Sequence, residues 1–278
     1  MKKLVKRIFL SSILFLVALF LIATIVISGL YIFSNKTEFD INKIKNSSIN
    51  FEIYDNQNRK IKDENILGNF IKINTLNPYT KEAFISIEDK NFYKHSGLNY
   101  KRMVKAMIKN ITSFSLKEGA STISQQLIKN THLTNKKTFS RKINEITLTK
   151  KLEHTLTKDE ILEYYLNIIY FGDNCYGIEN ASKHYFSKHA KDLSIEESAT
   201  LAGLIKSPNS YSPTKNIEKT TKRRNVVLSE MFKDNKISFD EYNNALTMPV
   251  KINISSTDNN SLNSYVQATI DEATQILK

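Results

Sequence analysis

The chain of 278 residues predicts a mostly α-helical domain preceded by one N-terminal transmembrane helix. Three observations carry that expectation. Only seven glycines and four prolines punctuate the whole chain, so the residues that break helices are scarce. Pairs of the form S/T-x-x-E stand before apolar runs at Thr157 and Glu160, Ser194 and Glu197, and Ser238 and Glu241, the mark of a reciprocally capped helix start. An uncharged apolar run from Ile8 to Phe33 exceeds the roughly 20 residues that a bilayer-spanning helix needs.

In chain order, residues 1–7 carry Lys2, Lys3, Lys6 and Arg7 and read as a cytoplasmic basic tail, which places everything after Lys36 outside the membrane. Residues 8–33 read as a retained anchor, because the run is longer than a signal-peptide core and no A-x-A cleavage site follows it. Residues 34–50 are polar and rich in Asn and Lys, reading as a linker. Residues 51–250 suffice for one large domain, and 251–278 read as a C-terminal helical tail.

Within the domain, Asn50 to Tyr54 alternates, Asp55 to Asn58 supplies turn residues and Arg59 to Ile61 resumes, a hairpin pattern. A helix starting at Asn77-Pro78, with Ala83, Phe84 and Ile87 on its apolar face, leaves Glu88 near its C-terminal end. Met103, Val104, Met107, Ile108, Ile111 and Phe114 recur at helical spacing among Lys101, Arg102, Lys105 and Lys109; such a helix can face the core or lie in a membrane interface. The run 161–166 stops near Gly172, the run 199–204 stops before Pro208, and 265–273 reads as one more helix.

The formal net charge is +12. An extracytoplasmic domain has no nucleic acid to meet, so an anionic bilayer or a phosphorylated lipid suits that charge better. Cys175 is the sole cysteine, which rules out an internal disulfide and leaves a small buried or loop residue. There is no H-E-x-x-H, P-loop or C-x-x-C, hence no motif for a catalytic zinc or a nucleotide. Ser212-x-x-Lys215 matches the S-x-x-K of acyl-transfer enzymes only by chance, since no K-T-G follows.

The chemistry concentrates between Glu88 and Glu145. Two carboxylates bracket a polar, cation-bearing stretch, a pattern suited to sugar transfer from a phosphate leaving group. One acid takes a proton from an attacking hydroxyl, and Lys and Arg neutralise charge on the departing phosphates. Thr122, Gln126 and Lys129 fall at i, i+4 and i+7 after Gly119-Ala120-Ser121, a polar stripe at a helix N-terminus and so a candidate anion site. Arg141 and Glu145 share a face four residues apart. Gln125-Gln126 is an odd choice for a merely solvated surface.

At these residues the chain resembles the peptidoglycan glycosyltransferases of family 51, found as monofunctional transglycosylases and as modules of class A penicillin-binding proteins. Glu88-Asp89-x-x-Phe92-x-x-His95-x-Gly97 resembles the family's first motif and Gly119 to Asn130 its second. Arg141-Lys142-x-x-Glu145 corresponds to the third, Lys158 to Asn167 with Tyr170-Phe171-Gly172 to the fourth, and Arg223 to Leu228 to the fifth. Three departures are visible: Lys137 stands where many members have arginine, Ser187 replaces a glycine common after Tyr185-Phe186, and Lys206-Ser207-Pro208 replaces Gln-x-Pro.

The resemblance implies a lysozyme-like helical domain with a small membrane-associated jaw. It implies polymerisation of lipid II onto a nascent lipid-linked glycan strand, on the outer face of a bacterial cytoplasmic membrane. Glu88 would be the general base, its basicity supported by Asp89 and the apolar Phe84, Ile87 and Phe92. Glu145 would assist at the donor side by positioning the diphosphate or a divalent ion such as Mg or Mn; no organic cofactor is implied. Lys129, Lys137 and Arg141 would hold phosphates, Ser121, Thr122, Gln125 and Gln126 would line the cleft, and Asp89, Phe92, His95 and Asn130 would shape it. Expected partners are the lipid substrates, the membrane and cell-wall synthesis proteins including transpeptidases. Two other readings share the scaffold: a lytic transglycosylase or muramidase, which has no use for a phosphate-binding Lys129 and Arg141, and an inactive lipid II-binding protein.

Overall fold

The computed structural model describes residues 37–47, 70–112, 121–134 and 138–253, with scattered positions between 13 and 29 and residue 57. Among the described residues, helix dominates and one short hairpin is present. The hairpin expected at 50–61 and the tail helix at 265–273 lie outside them, as does most of the 8–33 run. No helix of the described residues is long and apolar enough to cross a membrane.

Helix α1 spans Ile41–Ser47, α2 Pro78–Glu88 and α3 Tyr100–Thr112. Next come α4 at Ile123–His132, α5 at Phe139–Thr155 and α6 at Lys158–Ile168. Strands β1 (Tyr170–Gly172) and β2 (Cys175–Tyr176) lead into α7 at Ile178–Phe186 and α8 at Ile195–Leu204. The short α9 (Pro208–Tyr211), then α10 (Ile217–Lys233) and α11 (Phe239–Thr247), complete the order.

The expected caps form. Capping boxes open α6 at Thr157 and Glu160, α8 at Ser194 and Glu197, and α11 at Ser238 and Glu241. A fourth, Thr122 with Gln125, opens α4; it lies outside the S/T-x-x-E pattern because glutamine takes the place of glutamate. Asn77 caps α2 through Tyr79 N at 3.0 Å, with Pro78 in the first turn.

Helix α8 is the centre of the molecule. Ser198 to Leu204 are all buried, and an all-round buried helix must be covered on every side. Helices α2 and α10 both pack on it. Gly203 lets α10 come close, since a Cβ there would lie 3.1 Å from Arg223 Cγ. The buried hydroxyls of Thr80 and Ser198 pair at 2.8 Å across α2 and α8. The segment entering α2 is pinned to α6: Glu163 accepts from Ile73 N at 2.8 Å, and Asn167 bonds both the N–H and the carbonyl of Ile71. Helix α2 is thereby held at its N-terminal end, and Glu88 sits at its C-terminal end. Pro208, expected only to stop α8, starts α9 as its first residue, a position that suits a residue without an N–H.

Two findings differ from the sequence reading. The stretch taken as a linker is docked: Ile44 is fully buried in the core, Phe39 stacks on His132 at 5.3 Å, and Lys151 Nζ donates to Thr37 O at 2.6 Å. One apolar residue per helical turn is enough to hold α1 against α4, and overall composition does not register it. Second, β1 and β2 pair antiparallel through Asp173 and Asn174, both at positive φ (48° and 60°), the geometry of a tight hairpin turn. The apolar face of α3, for which core and membrane interface were both open, is not wholly buried: Tyr100, Val104 and Ile108 are 61%, 55% and 55% exposed.

Cys175 is buried on β2, and desolvation, reinforced by the charge of Asp173, pushes its thiol up to about 12. A small buried or loop residue was expected there. The left-handed φ of 52° at Ser187, which ends α7, explains why glycine suits that position.

Candidate active site

Glu88 ends α2 half-buried, beside the buried Phe84 and Ile85. Its Oε2 accepts a hydrogen bond from Gln126 Nε2 at 2.7 Å; among the described residues Oε1 has no hydrogen-bond partner. Gln126 Oε1 in turn accepts from the hydroxyl of Tyr165 at 3.2 Å. Arg102 donates to the backbone carbonyl of Glu88. Arg223 comes near enough for the charge of Glu88 to act on it: burial lowers the affinity of its guanidinium for the proton, and Glu88 opposes that shift. Its Nε donates to Gly203 O at 3.3 Å. Neither Tyr165 nor Arg223 received a role from sequence, although both lie inside quoted motifs.

Asp89 is buried, and its carboxylate serves the scaffold. His95 Nε2 lies 3.0 and 2.9 Å from its two oxygens, and Ile123 N donates to Oδ2 at 3.2 Å. Gly97 N donates to His95 Nδ1 at 3.2 Å, so the ring donates through Nε2 to Asp89. Phe92 is fully buried, edge-on to His95, with Lys158 Nζ 4.5 Å over its face. The α4 N-terminus, expected to await a phosphate, is therefore occupied by the protein's own Asp89 carboxylate, the anion nearest its N–H dipoles.

Thr122 is also turned inward. It is 0% exposed; its hydroxyl donates to Gly97 O at 2.6 Å and accepts from Gln125 N at 3.2 Å. It does not line an open cleft with Gln126, because a capping residue must point back along its own helix. Ser121 is half-buried next to it.

Gly97 closes this loop at φ +86°, and a Cβ there would meet Thr149 Cγ2 at 2.8 Å and Glu153 Cγ at 2.9 Å. Glu153 cannot yield freely, since Ser124 and Lys158 both bind its carboxylate. Gly97→Ala is expected to cost roughly 2–3 kcal/mol from strain and overpacking, read as a melting temperature lower by about 5–10 °C. An unchanged melt would mean that the loop adapts at no cost.

The second carboxylate lies on α5. Glu145 is 2% exposed and is surrounded by donors: Gln125 Nε2 at 3.0 Å on Oε1, Lys142 Nζ on the same oxygen, and Arg141 Nη1 at 3.6 Å from Oε2. The Arg141 Nε is buried without a hydrogen-bond partner among the described residues. Gln125 and Gln126, adjacent on α4, thus hold one glutamate each. Lys142, quoted in a motif but given no role, is the closer cation to Glu145.

Lys129 and Asn130 are exposed in the last turns of α4. Lys137 lies outside the described residues. A divalent ion at Glu145 does not fit this donor set: the carboxylate already faces two cations, and among the described residues no three metal-ligating side chains converge. Arg141 and Lys142 against the one carboxylate leave the cluster with a surplus of positive charge.

A family model described as Transglycosylase matches residues 56–232. Penicillin-binding protein 1A/1B of Bacillus subtilis (strain 168) is 40% identical over 220 residues, which cover 78% of this chain and 24% of the relative. Penicillin-binding protein 2D of the same strain is 46% identical over 169 residues, covering 61% and 24%. Penicillin-binding protein 1A of Neisseria gonorrhoeae is 41% identical over 177 residues, covering 64% and 22%. The chain therefore spans about a quarter of the length of these relatives. Among solved structures, penicillin-binding protein 1A from Haemophilus influenzae aligns over 81% of this chain and 24% of its own, at 22% identity and a TM-score of 0.45.

Proposed function

The chain belongs to the transglycosylase family, and from that premise we propose that it is a peptidoglycan glycosyltransferase that polymerises lipid II into glycan strands. The observation that carries this reading is the pairing of two unlike carboxylates by one dipeptide. Gln126 holds one oxygen of Glu88 and leaves the other open, while Gln125 holds Glu145 inside a cationic cluster. An open carboxylate oxygen is a proton acceptor; a carboxylate ringed by Arg and Lys is an organiser of positive charge.

In the reaction, Glu88 Oε1 accepts the proton of the acceptor sugar's 4-hydroxyl as that oxygen bonds to the anomeric carbon of the donor. The bond from that carbon to the diphosphate oxygen breaks on the opposite face, which inverts the centre. Undecaprenyl diphosphate leaves with the electron pair, and Arg141 and Lys142 receive its charge, with the exposed Lys129 of α4 as a further cation. Glu88 then returns its proton to solvent. A hydrolytic role would need a carboxylic acid poised over a sugar leaving group and gives the cations no task.

The exposed Tyr100, Val104 and Ile108, set among exposed Lys101, Lys105 and Lys109 on α3, support a seat for this part of a lysozyme-like domain in the membrane interface, as its jaw. The 8–33 run is its single-pass anchor, with the catalytic domain outside. Cell-wall proteins, including transpeptidases, are its expected neighbours.

Incubating the detergent-solubilised protein with labelled lipid II, with and without the family inhibitor moenomycin, should yield inhibitor-sensitive polymer resolved by size. Bound lipid II without polymer would replace this reading with the scaffold, and digestion of preformed murein would replace it with the lytic enzyme.

A further inference from the structure

We propose that Tyr165 is a positioning residue for Glu88, acting through the side-chain amide of Gln126. The proposal rests on the reading of Glu88 as the base. Tyr165 lies on α6, fully buried, where phenylalanine would fill the same space. A buried hydroxyl must find a partner or pay for its lost hydration. Among the described residues this one has a single partner, Gln126 Oε1 at 3.2 Å.

The order of bonds in the chain is forced by chemistry. An ionised Glu88 carboxylate accepts only, so the amide must turn its NH2 towards Glu88 Oε2 and its oxygen towards Tyr165. That oxygen needs a donor, and the phenol supplies one. The hydroxyl stays protonated because burial, reinforced by the charges of Glu88 and Asp89, holds its pKa well above the ordinary value. A phenol that always donates locks the amide against a flip that would aim its oxygen at the carboxylate. With the amide locked, Glu88 Oε2 stays engaged and Oε1 stays presented. Tyr165 touches neither substrate nor the reacting atoms in this scheme, and its effect passes through Gln126 alone.

The test is a double-mutant cycle on the full chain in detergent. Tyr165→Phe should keep the melting temperature near that of the wild type and leave KM for lipid II unchanged. It should lower kcat about three- to tenfold, the equivalent of one net hydrogen bond. In a Gln126→Ala background the same change should add nothing. A Tyr165→Phe enzyme with full kcat, or a loss that simply adds to that of Gln126→Ala, overturns the relay. A second measurement does not need turnover. In protein labelled with 15N-glutamine, the side-chain NH2 signals absent from Gln126→Ala should shift in Tyr165→Phe, and unmoved signals overturn the relay. If the wild type makes no polymer, the base reading fails by itself and those amide signals still decide the contact.

Discussion

Glu88→Gln is expected to abolish glycan polymerisation in a protein that folds and melts like the wild type. Glutamine has the size of glutamate, and its carbonyl oxygen can accept the hydrogen bond that Gln126 Nε2 now gives to Oε2 at 2.7 Å. Neighbouring Phe84 and Ile85 stay buried whatever the charge at position 88, so the scaffold has little reason to respond. What disappears is the basic oxygen. General base catalysis is worth about 10²–10⁴-fold, which puts the variant's turnover of lipid II at or below the background of a size-resolved polymer assay. Lipid II binding should survive, because the cations on α5 do not depend on Glu88. A variant that polymerises within a few-fold of wild type would remove Glu88 from the mechanism and leave its contacts with Gln126 as packing.

The outcome depends on how Glu88 is held, and that support was only partly legible in the sequence. Local signals gave the helices reliably: Asn77-Pro78 and three S/T-x-x-E boxes start α2, α6, α8 and α11 where spacing said they would. Glu88 near the end of α2 follows from the same spacing. Non-local pairings were hidden. A residue number cannot say that Gln125 turns to Glu145 and Gln126 to Glu88, because the 100° between successive helical positions matters only once the folded chain brings Glu88 and α5 up to α4. The oddity of two glutamines in a row was the sole hint.

Thr122 misled for a related reason. At i, i+4 and i+7 with Gln126 and Lys129 it shares a helical stripe on paper, but a capping residue has extended backbone (φ −81°, ψ 168°) and its side chain bonds backward. Asp89 in the α4 N-terminus is a long-range contact, 34 residues from Ile123, and so no anion was expected there from the chain itself. Ile44 in α1 shows the limit of composition: one buried residue among exposed polar neighbours docks a segment that reads as linker. The hairpin at 170–176 escaped because strands of three and two residues are too short to show an alternating pattern.

Glu145→Ala should lose stability and activity together, and a second substitution should separate the two. Removing the carboxylate leaves Gln125 Nε2 without its partner at 3.0 Å and sets Arg141 and Lys142 against each other across the space it filled. A fully buried pair broken on one side costs roughly 3–5 kcal/mol. Lys142 is 39% exposed and can swing towards water, which brings the expected loss down to about 2 kcal/mol. Turnover should fall by about 10²-fold, as mispositioning by an ångström commonly does, since the cations proposed to receive the diphosphate are no longer held. Adding Lys142→Ala removes the like-charge repulsion and should return part of the melting temperature. It cannot return activity, because it also deletes a cation. Recovery of both together would mean that Glu145 only balances charge within α5. Recovery of stability alone would leave it the organiser of the leaving-group site, a role in which its burial, its two cations and its tie to Gln125 all have a purpose.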